Sequence, residues 1–305
     1  MRKINEIAKR YDFKPTKYMI KGKTTLIDTD KGRFAIKAKN RSQNNQILTY
    51  LDSRSFHYYP NIIQDDDEYI ITEAIDEIDM PSDQKMADLI DLVALLHSKT
   101  THYKEVDLDD YKKLYEDISN NIVYLSSYYE DYVAIAESHV FMSPSEYLLA
   151  RNSTKIYSSL QFAKAELEKW YEMIKEKRKQ RLVVLHNNLN LDHFLRSKSP
   201  YLISWDQSKI GIPVFDIFKL YKRQGLDFEF GELLRRYERT YPLLPEERKL
   251  LFILLAMPNK IEFHDSEYEM CMKISRLIDE LYKTEMIISP YYSKQTEQKE
   301  QEKQK

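Results

Sequence analysis

The stretch Leu182–Asp216 constrains this chain more than any other, because two apolar runs there each lead into polar residues of chemical interest. Leu182–Leu185 reads LVVL and is followed by HNNLNLDH; Tyr201–Ser204 reads YLIS and is followed by WDQSKIGIPVFD. Short runs rich in Val, Ile and Leu and bounded by polar residues predict buried strands. Such a pair would deliver His186, Asn188, His193, Ser204 and Asp206 to a common edge. Glycine narrows the chemistry further. The five glycines, Gly22, Gly32, Gly211, Gly225 and Gly231, allow neither a Walker loop nor a GxGxxG fingerprint. Any nucleotide would need another kind of phosphate loop.

The 305 residues, 42% of them hydrophobic, are enough for one large domain or two lobes with a real core. Lys plus Arg (47) nearly balances Asp plus Glu (49), so the chain has no overall electrostatic footprint for nucleic acid or an anionic membrane. The single cysteine, Cys271, excludes an internal disulfide framework and a four-cysteine zinc site and fits a reducing compartment. The first residues, MRKINEIAKRYDF, hold no signal-peptide apolar core, and no apolar run approaches the roughly 18 residues of a membrane span. The expectation is a cytoplasmic protein without a membrane span.

Along the chain, Asn5–Tyr11 has the pattern of a short amphipathic helix. Lys17–Ile20, Thr24–Thr29 and Arg33–Lys39 alternate between Lys-Gly-Lys and Asp-Lys-Gly turns, as an antiparallel meander does. Ser42 caps a predicted helix over Gln43–Ser53, and further strands are predicted at Pro60–Ile63 and Tyr69–Ala74. Beyond residue 75 the apolar period changes to about 3.6. A helix from Ser82 or Asp83 carries Met86, Leu89, Ile90, Val93, Leu96 and His97 on one face, with His97 expected to pack rather than bind metal. Helices are predicted over Leu108–Tyr132 and Val133–Val140. Another starts at the capping box Ser143-Pro144-Ser145-Glu146 and runs to about Lys179. Its basic end, Lys175, Lys177, Arg178, Lys179 and Arg181, suits a helix C-terminus and would equally suit an acidic partner. Val214–Gln224, Phe230–Thr240, Pro245–Met257 and Ser266–Met286 follow as helices. The residues from Tyr291 to Lys305 are almost wholly polar and predict a disordered tail.

The central stretch resembles the catalytic hairpin of the aminoglycoside phosphotransferase and choline kinase superfamily. There the first loop has the form His-Gly-Asp-x-x-x-x-Asn, and the second Ile-Asp-Trp-Glu followed by Gly-x-Pro-x-x-Asp. This sequence offers His186-Asn187-Asn188 to His193, then Ile203-Ser204-Trp205-Asp206 and Gly211-Ile212-Pro213-Val214-Phe215-Asp216. The resemblance implies an α+β, bilobal protein-kinase-like fold: a small antiparallel β N-lobe over 1–75 and a large helical C-lobe over 76–290, with the polar tail 291–305. His97 lies in the segment LLHSKTTHY, which resembles the helix end of the same family. Phe34-Ala35-Ile36-Lys37 resembles its phosphate-binding strand, making Lys37 the nucleotide-binding candidate together with Glu73 at the hinge. His186, Trp205, Gly211, Pro213 and Asp216 take the structural motif positions.

In that register Asn188 stands where the family has its catalytic Asp, His193 where it has a metal-binding Asn, and Ser204 where it has a magnesium-binding Asp. An amide accepts no proton, forfeiting a general-base effect of about 10²–10⁴. Serine brings no charge to a divalent ion, and magnesium prefers carboxylate and water oxygens to imidazole. The helix after Lys37 offers no acid between Arg41 and Leu51, so Lys37 is expected to lack its usual ion pair. These substitutions predict no intact catalytic site, no metal site and no cofactor: a pseudokinase that binds other proteins. Among subfamilies the spacing most resembles the spore-coat-associated kinase-like proteins, which implies coat proteins as partners and deposition on the forespore or spore coat. The alternative is a divergent phosphotransferase using ATP and Mg through the displaced carboxylates Asp192 and Asp206.

Overall fold

The computed structural model describes residues 10, 13–39, 46–263 and 266–303, with the backbone alone at 108 and 293–303. The chain divides into two compact units: residues up to 100 together with 186–209, and residues 101–185 together with 210 onward. The first unit thus takes in the 186–209 segment.

The first unit is built on a five-stranded antiparallel sheet. Its strands are β1 (Pro15–Lys21), β2 (Thr24–Thr29), β3 (Gly32–Ala38), β4 (Ile62–Asp65) and β5 (Tyr69–Glu73), in the order β1-β2-β3-β5-β4. The predicted meander is therefore present, and its turn at Gly22 has φ +60, a backbone that glycine adopts without cost. Alternation on β3 turns Phe34 and Ile36 into a core with Ile27 and Ile71. Phe13 stacks on Phe34 at 4.7 Å. Lys37, next to buried Ile36, consequently faces away from that core. Helix α1 (Gln46–Ser53) buries Ile47 and Leu51. The helix predicted over Asn5–Tyr11, apart from Arg10, and the Ser42 cap lie outside the described residues.

Helix α2 (Ser82–Thr100) keeps its predicted apolar face, with Met86, Leu89, Ile90, Val93 and Leu96 buried. His97 is 0% exposed within it, as a packing residue should be.

The second unit holds strand β6 (His102–Glu105), helices α3 (Leu108–Ser138) and α4 (Pro144–Ile174), and strand β7 (Lys179–Leu185). The two helices predicted between 108 and 140 are one, started by Asp107, whose side chain accepts from the Asp109 N–H at 3.1 Å. The capping box of α4 forms on both sides: Glu146 N–H donates to Ser143 Oγ at 3.3 Å and Ser143 N–H to Glu146 Oε2 at 2.8 Å. That helix stops at Ile174, short of the predicted Lys179. From Lys179 the backbone instead pairs antiparallel with β6, from Glu105↔Lys179 to His102↔Leu182.

Strands β8 (Phe194–Arg196) and β9 (Pro200–Leu202) form a small hairpin within the first unit, and β10 (Lys209–Gly211) joins β7 and β6 in a three-stranded sheet. A Cβ at Gly211 would meet Leu185 Cδ1 at 2.7 Å, so a larger residue there would force the Leu185 side chain to move. Helices α5 (Val214–Gln224), α6 (Phe230–Thr240), α7 (Pro245–Ala256) and α8 (Glu267–Lys303) complete the unit.

Helix α8 continues through Pro290 into the residues expected to form a disordered tail. The start of that tail is corrected by packing: Tyr291 lies edge-on to Phe252 at 5.0 Å, and the Tyr292 hydroxyl donates to Glu166 at 2.6 Å. A composition dominated by charge hid two aromatic anchors. Among the described residues, no helix is long and apolar enough to cross a membrane.

Candidate functional site

Strand β7 ends at Leu185, and the residues leaving it build the site from the backbone outward. His186 is 0% exposed. Its Nε2 donates to the Ile203 carbonyl at 2.9 Å, and its ring lies edge-on to Trp205 at 4.7 Å. Trp205 is itself fixed by its indole N–H, which donates to the Leu202 carbonyl at 2.8 Å. These two frame residues therefore tie the first motif to the second. Asn187 adds a further tie: at φ 62, its side-chain amide donates to the Gln207 carbonyl at 2.9 Å.

The first loop then closes on itself. Asn190 accepts from the His193 backbone N–H at 2.9 Å, forming a 3-10 turn over Leu191–His193. His193 Nδ1 donates to the Asn188 carbonyl at 2.7 Å, which fixes the ring; a neutral imidazole in that tautomer keeps its lone pair on Nε2. The β8–β9 hairpin follows, pairing Phe194 with Leu202.

The second run leaves the strand after Leu202, which corrects the reading of Tyr201–Ser204 as extended throughout. Ser204 is left-handed, at φ 66 and ψ 53, and Trp205–Gln207 is a 3-10 turn. A non-glycine residue in that region carries a strain on the order of 1 kcal/mol and persists only where its surroundings impose it. Here the buried Trp205 and the Asn187 bond to Gln207 do so.

That turn aims Asp206 at the sheet. Asp206 Oδ1 accepts from Lys37 Nζ at 2.6 Å, with side-chain exposures of 16% and 22%. Lys37 thus has an ion pair after all, contrary to the sequence expectation: its carboxylate comes from residue 206 and not from the helix that follows β3. Burial by itself raises the Asp206 carboxyl, but the Lys37 ammonium, with help from its own backbone N–H and the nearby His193, holds it below its ordinary value.

The remaining candidates are placed as follows. Glu73 ends β5 at an exposed position, where Asn61 Nδ2 donates to its Oε2 at 3.2 Å. Asp192 is exposed in the 3-10 turn, and Asn188 is half-buried. In the second unit Pro213 is buried, and Asp216, 0% exposed, lies in the first turn of α5. An acid there favours the positive helix end.

Magnesium can be tested against these residues. Asn188, His193 and Ser204 contribute no carboxylate, and the nearby Asp206 is engaged by Lys37. Among the described residues, no group of three or more His, Cys, Asp or Glu side chains is placed to hold a metal ion. A donor set of amide, imidazole and hydroxyl does not fit a hard dication that selects charged oxygen.

Comparison with known proteins agrees with this frame. The sequence model of the Phosphotransferase enzyme family matches residues 102–251, just under half of the chain. Among solved structures, an aminoglycoside phosphotransferase from Alicyclobacillus acidocaldarius superposes with a TM-score of 0.69 at 12% identity, covering 92% of each chain. The fold is that of the aminoglycoside phosphotransferases. A spectinomycin phosphotransferase in complex with AMP is similar at a TM-score of 0.54 and 13% identity, covering 96% of this chain and 94% of that one. No curated protein matches the sequence. The likeness to these structures is one of fold, an antiparallel sheet joined to a helical region.

The two apolar runs of the central stretch were readable because their pattern is local. What sequence reasoning missed was the role of Asp206, whose partner lies 169 residues away. The only available signal was negative: an unmatched lysine on β3 and an extra acid beyond Ser204.

Proposed function

We propose that this phosphotransferase-fold protein is catalytically impaired and acts by binding other proteins. The observation that carries the reading is the Lys37–Asp206 pair at 2.6 Å. In the resemblance Lys37 is the phosphate-binding lysine and Ser204 replaces the metal-binding acid. The carboxylate that meets Lys37 comes from the turn after Ser204 and not from the helix after β3, so nucleotide and metal would have to displace Asp206 from the lysine before either group could serve them. Asn188 adds to this, since an amide in place of a carboxylate cannot accept the proton of a substrate hydroxyl. The spacing resemblance to spore-coat-associated kinase-like proteins gives the partner class, proteins of the coat, and a cytoplasmic protein deposited on the forespore or spore surface.

Thermal denaturation with ATP and magnesium or manganese tests this reading. The expected result is no shift of the midpoint, because only a ligand that binds the native state stabilises it. A clear, saturable stabilisation that disappears in Lys37→Ala overturns it. The alternative, a divergent phosphotransferase using Asp192 and Asp206, rests on the placement of the Asp206 carboxylate two residues beyond Ser204, with the Lys37 ammonium favouring its charged form. It requires ATP turnover that is lost in Asp206→Ala.

A further inference from the structure

The second unit contains a cavity of about 520 Å³ that the phosphotransferase reading does not use. It opens at Lys179–Arg181, the start of β7, the end of that strand remote from Leu185. Its floor is apolar: Trp170, Ile174 and Leu250 are each at most 2% exposed, and Tyr111 is 5% exposed. The volume and this lining match what a small-molecule pocket requires, a mostly apolar body with a few converging polar groups.

The rim supplies those groups and does not balance them. Four cations line the cavity, Lys177, Arg178, Lys179 and Arg181, against two carboxylates, Glu246 and Glu247. Lys177 is bonded to Glu246. Arg181 Nε donates to Glu247 Oε1 at 2.9 Å, and its guanidinium stacks over the Tyr241 ring at 4.3 Å. Both carboxylates are thereby taken. Arg178 and Lys179 remain at the mouth, exposed, with no counter-ion among the described residues. The site is an apolar slot with two cations at its lip that form no ion pair among the described residues, although Glu105 stands opposite Lys179 across the ladder, and an Arg in that position grips a carboxylate or phosphate in two parallel hydrogen bonds.

We propose that this cavity binds a small amphipathic anion, with a flat apolar body in the slot beside Tyr103 and Leu244 and a carboxylate or phosphate head held by Arg178 and Lys179. The proposal is independent of whether the Lys37–Asp206 site binds nucleotide. It also gives the basic run between α4 and β7 a role.

The test titrates the full chain with naphthoate, naphthyl phosphate and neutral naphthalenemethanol by isothermal calorimetry. Saturable binding of at least one anion, with the alcohol weaker by about tenfold or more, is the expected result. Which anion binds identifies the head group as carboxylate, phosphate or either. The double variant Arg178→Ala/Lys179→Ala, at two exposed positions that leave the core untouched, is expected to lower anion affinity by about tenfold or more. Lys175→Ala, which removes a nearby lysine outside the cavity, is expected to leave it unchanged. Binding of neither anion, equal binding of the alcohol, or undiminished affinity in the double variant overturns the proposal.

Discussion

Lys37 on the third strand and Asp206 in the turn after Ser204 form one ion pair at 2.6 Å across 169 residues of sequence. It is half-screened from water, so its energetic role is larger than that of an exposed pair, whose median is about 0–1 kcal/mol. Asp206→Asn is expected to destabilise the protein by about 1–2 kcal/mol, because it leaves a partly buried ammonium with a weaker acceptor. The pH dependence has a definite sign. The folded pKa of Asp206 lies below its ordinary 3.8, so its contribution is complete above that value and disappears as pH falls through the folded one. Urea denaturation of the two proteins is expected to show a constant difference from pH 5 to 8 and convergence at strongly acid pH.

Restoring the replaced groups tests the proposed loss of chemistry directly. The triple variant Asn188→Asp, His193→Asn, Ser204→Asp is expected to acquire a magnesium-dependent thermal stabilisation by ATP that the parent lacks. At one hundred times the dissociation constant such binding would contribute about 2.7 kcal/mol. If the parent and the triple variant respond alike, the three positions do not control metal or nucleotide binding.

The frame is expected to be far less tolerant than the positions it surrounds. His186→Ala removes a buried hydrogen bond to Ile203 and the ring contact with Trp205, a combined cost of about 2–4 kcal/mol. Trp205→Phe keeps most of the apolar surface and loses the bond to Leu202, for about 1 kcal/mol. Chemical denaturation of both variants should preserve that order; a reversal would mean that the indole and not the imidazole joins the two motifs.

Helix α4 offers a local test far from the site. Ser143→Ala deletes the acceptor for the Glu146 N–H and is expected to cost about 1 kcal/mol, typical for an N-cap. Glu146, whose carboxyl is held below its ordinary value chiefly by the Ser143 backbone N–H, should retain that bond in the variant. A change of much more than this would point to the contacts of buried Ser145, which binds Glu267 at 3.1 Å, being disturbed as well.

What could be read from the chain and what could not divide along physical lines. The β1–β3 meander, α2 and the frame of the central motifs rest on local spacing and were legible. Strand β6 was not, since HYKE has no apolar alternation and forms only because β7 is there to pair with it. The continuation from Ser204 was misread for a related reason: YLIS looks extended, but the buried Trp205 turns the backbone left-handed before Asp206 is reached. The partner of Lys37 could not be read at all, because nothing in a linear pattern reports a contact between residues so far apart. Tyr291 and Tyr292 were hidden by the charged residues around them.

The left-handed backbone at Ser204 has a bearing on how this protein could change. Aspartate and asparagine are several-fold enriched in that conformation, while serine gains little from it. Introducing a charged metal ligand usually erodes stability, since functional residues tend to sit in strained or desolvated positions. Here the order is inverted: the residue that chemistry would ask for is also one the main chain already prefers. Of the three positions that the proposal treats as altered, 204 is therefore where the usual opposition between stability and activity should be weakest, and where a laboratory selection for phosphotransfer would find its first permissible step.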